Sequence, residues 1–435
     1  MVLGRRAFAL IGLLVVGMAT TGCFSRATGC PEGKTCLRYM AWGNPQQFEV
    51  ERQIVKRFNE QNPDLHVTVF SVPGTSYAQK QIMMLGSRTA PDVMRVDHYF
   101  FPNLAAKGHF TDLTPYAKAD PSFDPDVYFP TALEECYVEG KLMALNVLFG
   151  GIAMYYNKTM FREAGLEDPW ELHQRGQWTW ARFRQSAIAL TQFEGGRPKR
   201  FGTTVPQLPA IIACVRGFGG EMIDLDANRS LLDQPGTVAA YQFLADLVWV
   251  DRAAPTPAQG ANFAFTFESG KVGMVLDFMG MIPRYREVAK GFDWDVAPIP
   301  KGPAGGRTVI KGNQLVIPKN CKNPEAAWRF VKYMASQETE RVLYAQIRRC
   351  FPTRKDVAYS PEYLQTDQPP YQLQAFVESV ENGRILPINE RWIEWINALQ
   401  METDNLFAGR ERDASVVLRR ARDKINTILS EDPGL

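Results

Sequence analysis

Alternating and helically spaced apolar positions divide the chain from residue 35 onward. Thr35–Trp42 (TCLRYMAW) alternates and stops at Gly43-Asn44-Pro45, which predicts a strand that ends in a turn. From Gln46 to Asn62 the spacing becomes helical, with Val50, Ile54, Val55 and Phe58 on one stripe, and Asn62-Pro63 ends the helix. His66–Val72 alternates again up to Pro73-Gly74, Tyr77–Ser87 reads as a helix, and Pro91–Asp97 reads as a third strand. Strand, helix, strand, helix, strand predicts βαβ units and a parallel sheet. Further on, Leu142–Lys158 holds two apolar runs broken at Gly150-Gly151, and Val272–Met279 is an apolar strand. Between them lies a helix-rich stretch in which Trp180–Phe193 is the clearest helix. Trp294–Pro300 leads into a Gly/Pro/Lys loop, and Gln314–Pro318 is another short strand. Asn323-Pro324-Glu325 then opens a helix with a polar N-cap and proline at N1. The last 60 or so residues are mainly helical by period.

The N-terminus is of another kind. Arg5 and Arg6 precede an apolar run from Ala7 to Met18, followed by Ala19-Thr20-Thr21-Gly22-Cys23. A positive start, a short apolar run and small residues before a break mark an export signal. The run is shorter than the roughly 20 residues that span a bilayer. This end resembles a bacterial lipoprotein signal, in which Cys23 is acylated and becomes the new N-terminus. Ordinary cleavage with Cys23 unmodified is the alternative. Either places the protein outside the cytoplasm.

Composition narrows the class. The 435 residues exceed one ordinary core, and 45% hydrophobic with 22% charged content is that of a globular protein. The formal charge of +2 includes Arg5 and Arg6, so the mature chain is near neutral and nucleic acid is not the expected partner. The nine Trp favour a ligand on which rings can stack, sugars among them. Beyond Cys23 the six cysteines stand at 30, 36, 136, 214, 321 and 350. Export makes disulfides available, and Cys30 with Cys36 is the expected pair, closing a small loop around Pro31 and Gly33. Two readings stand for Cys136, Cys214, Cys321 and Cys350, disulfides or buried thiols.

Several segments in order resemble the extracellular solute-binding proteins of ABC importers. Leu37–Gly43 looks like the opening strand of that family, Phe58-Asn59-Glu60-Gln61-Asn62-Pro63 like its first helix end, and Ala90-Pro91-Asp92-Val93 like the entry to its third strand. Tyr155-Tyr156-Asn157-Lys158 with Phe161 and Gly165-Leu166, then Trp178-Thr179-Trp180, Phe267–Met274 and Asn323–Trp328, follow in the family's order. The resemblance implies an α/β, two-lobed, type II periplasmic-binding-protein-like fold, with the ligand cleft between lobes joined by crossing hinge segments. On that reading residues 1–22 are the lipoprotein-type signal peptide and 23–35 the lipidated tether. Residues 36–149 with about 279–335 form lobe 1, and 150–278 with about 336–435 form lobe 2. The chain would cross near Phe149-Gly150-Gly151 and near Asp277-Phe278. Implied partners are a carbohydrate or polyol, ABC permease subunits and a membrane reached through the lipid anchor. A monomer without cofactor or metal is expected.

Ligands of α/β sheets lie beyond the carboxyl ends of strands, so strand ends supply the candidates. Trp42 ends the first strand and either stacks on a sugar face or belongs to the core, while Asn44 and Gln47 carry amides for hydroxyls. Asp97 and Tyr99 follow the third strand, where a carboxylate accepts two hydroxyl bonds or caps a helix. Phe149 and Phe278 sit at the expected crossings, as stacking platforms or as hinge packing. Phe218, within Gly217-Phe218-Gly219-Gly220, is a candidate from the other lobe. Asn313 and Arg354 complete the set, the arginine matching the family's P-x-R segment. Trp392 and Trp395, three apart on a helical stretch, read as core. The family often has Trp where Phe278 stands and a Gly-rich run where this chain has Lys311-Gly312-Asn313-Gln314, so the ligand stays open.

Enzyme motifs are incomplete. The four His form no H-E-x-x-H and no C-x-x-C occurs. Gly74-Thr75-Ser76-Tyr77-Ala78 lacks the last glycine of a nucleophile elbow. An exported carbohydrate-active enzyme stays open because paired carboxylates leave little local signature, although adjacent Glu134 and Glu135 would diverge on a helix. A binder of a glycerol phosphodiester or a peptide, and an adhesion or signalling protein of the same fold, are further alternatives.

Overall fold

A computed structural model describes residues 30–261, 265–346, 348 and 350–431. The signal peptide and Cys23 lie outside the described residues. Cys30 and Cys36 are joined by a disulfide at the start of β1 (Thr35–Ala41). Cys136, Cys214, Cys321 and Cys350 are thiols rather than disulfides. No helix among the described residues is long and apolar enough to cross a membrane.

α1 (Pro45–Gln61) opens on a capping box. The Asn44 side chain accepts from the Gln47 N–H, and the Gln47 side chain accepts from the Asn44 N–H. Its inner face buries Ile54, Val55 and Phe58 together with a carboxylate, Glu51, while Val50 stays half-buried. β2 (Leu65–Ser71) runs parallel to β1. α2 (Gly74–Gly86) leads to β3 (Val93–Asp97), parallel to β1 on its other side. This is the βαβ arrangement expected from alternation. Two later segments, Asn313–Val316 and Leu145–Asn146, complete a five-stranded sheet.

The second lobe is built on strand Gly150–Asn157, buried along its whole length. Period-two alternation sends Ile152, Met154 and Tyr156 into one apolar core and Ala153 and Tyr155 into another. Both faces are covered, which explains an unbroken apolar run. Strands Met274–Phe278, Trp294–Ala297 and Val309–Lys311 all pair antiparallel with it. Helix Trp180–Leu190 stops short of Phe193 because Gln192–Glu194 turns into a hairpin with Arg197–Arg200.

These pairings correct the lobe boundary. The chain does not cross at Asp277-Phe278. Residues 279–311 stay with the second sheet, because Trp294–Ala297 and Val309–Lys311 hydrogen-bond to its central strand. The return crossing is at Gly312, between Val309–Lys311 and Asn313–Val316. Three crossings lie side by side. Asn313 N–H donates to the Leu148 carbonyl at 2.7 Å, and Phe351 N–H donates to the Phe149 carbonyl at 2.9 Å.

Gly312 is there for want of space. A Cβ on it would lie 2.3 Å from Asn146 Oδ1 and 2.6 Å from Glu135 Oε2. Gly312→Ala should therefore destabilise the protein by about 1–3 kcal/mol, seen as a lower urea midpoint. An unchanged midpoint would mean that the crossing has room to shift.

Candidate functional site

Where the crossings leave the two sheets, a cavity of about 250 Å³ opens, lined among others by Trp42, Asp97, Phe149, Phe278, Lys311 and Asn313. The elements explain the convergence. β1 and β3 are parallel, so Trp42 and Asp97 emerge at the same end of the first sheet. Phe278 ends its strand in the second sheet, and Lys311 and Asn313 flank the Gly312 crossing.

Asp97 is the hub. Its Oδ2 accepts from Lys311 Nζ at 3.0 Å and from Asn313 Nδ2 at 3.1 Å, and its Oδ1 accepts from the Tyr99 N–H at 3.1 Å. Asp97 belongs to the first sheet and Lys311 to the second, so this ion pair joins the lobes. The Lys311 ammonium also sits 4.1 Å from the Tyr99 ring centroid. Tyr99 in turn stacks on Trp392 of the second lobe, with centroids 5.6 Å apart and planes at 6°. Buried Arg95 supports Trp42 from below. Its Nη1 donates to the Trp42 carbonyl at 3.1 Å, and its guanidinium lies 5.0 Å from the ring centroid.

Beneath the Gly312 crossing lies a buried polar pair. Glu135 Oε2 accepts from Asn146 Nδ2 at 2.8 Å, and Glu135 Oε1 is 3.5 Å from His98 Nε2. Burial pushes the Glu135 carboxyl up to about 8 and the His98 imidazole down to about 4, so burial makes both neutral. Glu340, which accepts from the backbone N–H groups of Thr353 and Arg354 at the third crossing, is raised by burial to about 8 as well. Glutamate with an ordinary value of 4.5 is already ionised in the unfolded chain at neutral pH, whereas these two hold protons in the fold. Stability should thus fall as pH rises from about 6.5 to 8, with His98, whose ordinary value is 6.5 and which burial holds neutral in the fold, opposing the fall only at the acid end of that window. Thermal melts should show Tm dropping by several degrees across that window. Glu135→Gln/Glu340→Gln should flatten the profile, and an equally steep variant profile would refute the assignment.

Five candidates lie off the lining of this cavity. Asn44 and Gln47 face each other in the capping box, where their carbonyl oxygens are committed to the backbone of α1. Phe218 packs against Phe243 at 5.3 Å and Trp180 at 6.5 Å, because its Gly-rich turn is pressed against the loop at Gly302–Gly305. Arg354 binds Asp356 through Nε at 3.0 Å and Nη2 at 2.8 Å, and it lines a separate groove with Phe58 and Lys332. Tyr99 does not line this cavity: its N–H donates to Asp97, its ring takes the Lys311 ammonium, and it lines a second chamber instead. Phe149 does line the cavity, yet it is only 2% exposed, so most of it is hinge packing. Glu134 is exposed and Glu135 buried, so they diverge.

Sequence reasoning missed Lys311, Arg95 with Glu51, and the outward face of Trp392. Lys311 had one signal, a lone cation within the segment that departs from the family's Gly-rich run. Chemically, a carboxylate, an amide and an ammonium between two aromatic side chains can hold a neutral polar solute with apolar ring faces.

Known proteins resemble this chain in sequence and fold. A putative binding protein of Brucella abortus (strain 2308) is 24% identical over 96% of this chain and 98% of its own length. The arabinooligosaccharide-binding protein of Bacillus subtilis (strain 168) is 24% identical over 81% of each. The structure of an ABC substrate-binding protein from Listeria monocytogenes in complex with cycloalternan superposes with a TM-score of 0.80 at 24% identity, covering 92% of this chain and 100% of that one. The family model of the bacterial extracellular solute-binding proteins matches residues 42–341, and the chain belongs to that family.

Proposed function

We propose that this protein captures an oligosaccharide outside the cytoplasm and hands it unaltered to an ABC permease, tethered to the membrane by a lipid on Cys23. The observation that carries this reading is the cavity between lobes, where Trp42 and Phe278 face Asp97, Lys311 and Asn313. Aromatic rings cover the apolar faces of a pyranose while the polar groups take its hydroxyls. A ligand touching both lobes favours the closed form by that differential contact. The names of similar proteins, one for arabinooligosaccharide and one for maltotriose, support the carbohydrate class. A solute receptor needs no nucleophile or general base, and among the described residues the one carboxylate lining the cavity, Asp97, is committed to Lys311 and Asn313.

Calorimetric titration against oligosaccharides and polyols tests it. One ligand should bind one protein with no product formed, and Trp42→Ala and Phe278→Ala should each weaken binding by roughly tenfold. Turnover of the sugar would favour the enzyme reading. Binding only of a glycerol phosphodiester or a peptide would replace the ligand class. Radiolabelled palmitate incorporation lost in Cys23→Ser tests the anchor.

A further inference from the structure

The crossings are not the lobes' only contact. Tyr99 follows β3, and helix Phe101–Ala106 behind it is anchored in the first lobe, where Phe101, Leu104 and Ala105 belong to the core that holds β1 and β3. The Tyr99 ring, however, packs against the core of the second lobe. Both groups that grip it come from there. Trp392, at the start of helix Trp392–Phe407, stacks on it at 5.6 Å, and the Lys311 ammonium lies 4.1 Å from its centroid. Trp392 is itself held by Trp395, with centroids 4.7 Å apart and planes at 84°, and Trp395 Nε1 donates to Asn389 Oδ1 at 3.0 Å. A turn further along, Asn103 Nδ2 donates to the Glu390 carbonyl at 3.0 Å, a second bond from lobe to lobe. Neither Tyr99 nor Asn103 lines the sugar cleft, whereas Lys311 does.

We infer that Tyr99 and Asn103 form a clasp that holds the lobes together and so sets the affinity for whatever sugar the cleft takes, without touching that sugar. The inference rests on the carbohydrate reading and adds to it two positioning residues. The apparent affinity of a ligand is its intrinsic affinity scaled by the fraction of protein in the binding-competent form. Contacts made only when the lobes meet raise that fraction whatever occupies the cleft. Swinging the lobes apart would draw the phenol off Trp392 and Lys311, forfeiting one stack and one cation–π contact. Lys311 couples clasp to cleft, since its ammonium bonds Asp97 and also caps Tyr99.

Calorimetric titration with maltose, maltotriose and arabinotriose, joined to small-angle X-ray scattering, tests the clasp. Tyr99→Ala should weaken every sugar that the wild type binds by one common factor, roughly tenfold, and should enlarge the radius of gyration of the sugar-free protein. At saturating sugar the radius should return to the wild-type value. Tyr99→Phe, which keeps the ring, should restore both quantities. Asn103→Ala should act in the same direction by about two- to threefold. A loss that differs from sugar to sugar, with an unchanged sugar-free radius, would make Tyr99 a ligand contact and overturn the clasp. Wild-type affinities in both Tyr99→Ala and Asn103→Ala would overturn it too. If the wild type bound none of the three sugars, a larger radius in Tyr99→Ala would keep the clasp and sink the carbohydrate reading, and an unchanged radius would sink the clasp.

Discussion

Asp97→Ala should lower oligosaccharide affinity by about 2–3 kcal/mol, roughly 30- to 150-fold in Kd. Three losses combine. The ligand forfeits a charged acceptor, the Lys311 ammonium loses the partner 3.0 Å away, and Asn313 Nδ2 loses its bond at 3.1 Å. Lys311 is only 19% exposed at its side chain, so water compensates it poorly. Asp97→Asn, which keeps the shape and one acceptor oxygen, should lose less. Asp97→Ala combined with Lys311→Met should lose less than the sum of the two single changes, because the pair acts as a unit. Calorimetry on the four proteins decides the matter. A wild-type Kd in Asp97→Ala would remove this carboxylate from the site.

The second large effect concerns stability. Arg95 is fully buried and donates to the Glu51 carboxylate, to Tyr39 Oη at 3.0 Å and to the Trp42 carbonyl at 3.1 Å. Removing one member of a buried ion pair strands the other, at about 3–5 kcal/mol. Glu51→Leu and Arg95→Met should each lower the urea unfolding free energy by that amount. The double variant should recover most of the loss, since two apolar side chains leave no charge unpaired. Because Arg95 holds both the carbonyl and the ring of Trp42, Arg95→Met should also weaken ligand binding at temperatures where the protein is fully folded. If the double variant were no better than the singles, packing rather than charge would be responsible.

Local pattern accounts for what was legible. The opening βαβαβ run was readable because each strand alternates and each helix carries its own stripe, and Asp97 was readable as the polar end of a buried strand. The capping box was also within reach. Asn44 and Gln47 stand three apart just ahead of the stripe, the signature of a helix start rather than of ligand groups. The return crossing was not legible. Nothing near Phe278 says that residues 294–297 and 309–311 will pair with 154–157 and 150–151, since those contacts span more than a hundred residues. Trp392 shows the same limit. Its stripe correctly marks it as buried, but the stripe is silent on Tyr99, which closes over it from the other lobe. Glu51 looks like a surface residue within α1, and only the fold brings Arg95 beneath it.

The Tyr99–Trp392 contact gives the molecule an optical gauge of its own state. Most other indoles, such as Trp178 and Trp294, are sunk inside one lobe and would keep their surroundings as the halves swing. Trp392 is seated on one half and roofed by a phenol from the other. Parting the halves would admit water to that indole and redden its emission, so stopped-flow fluorescence could time the jaw movement without any attached dye.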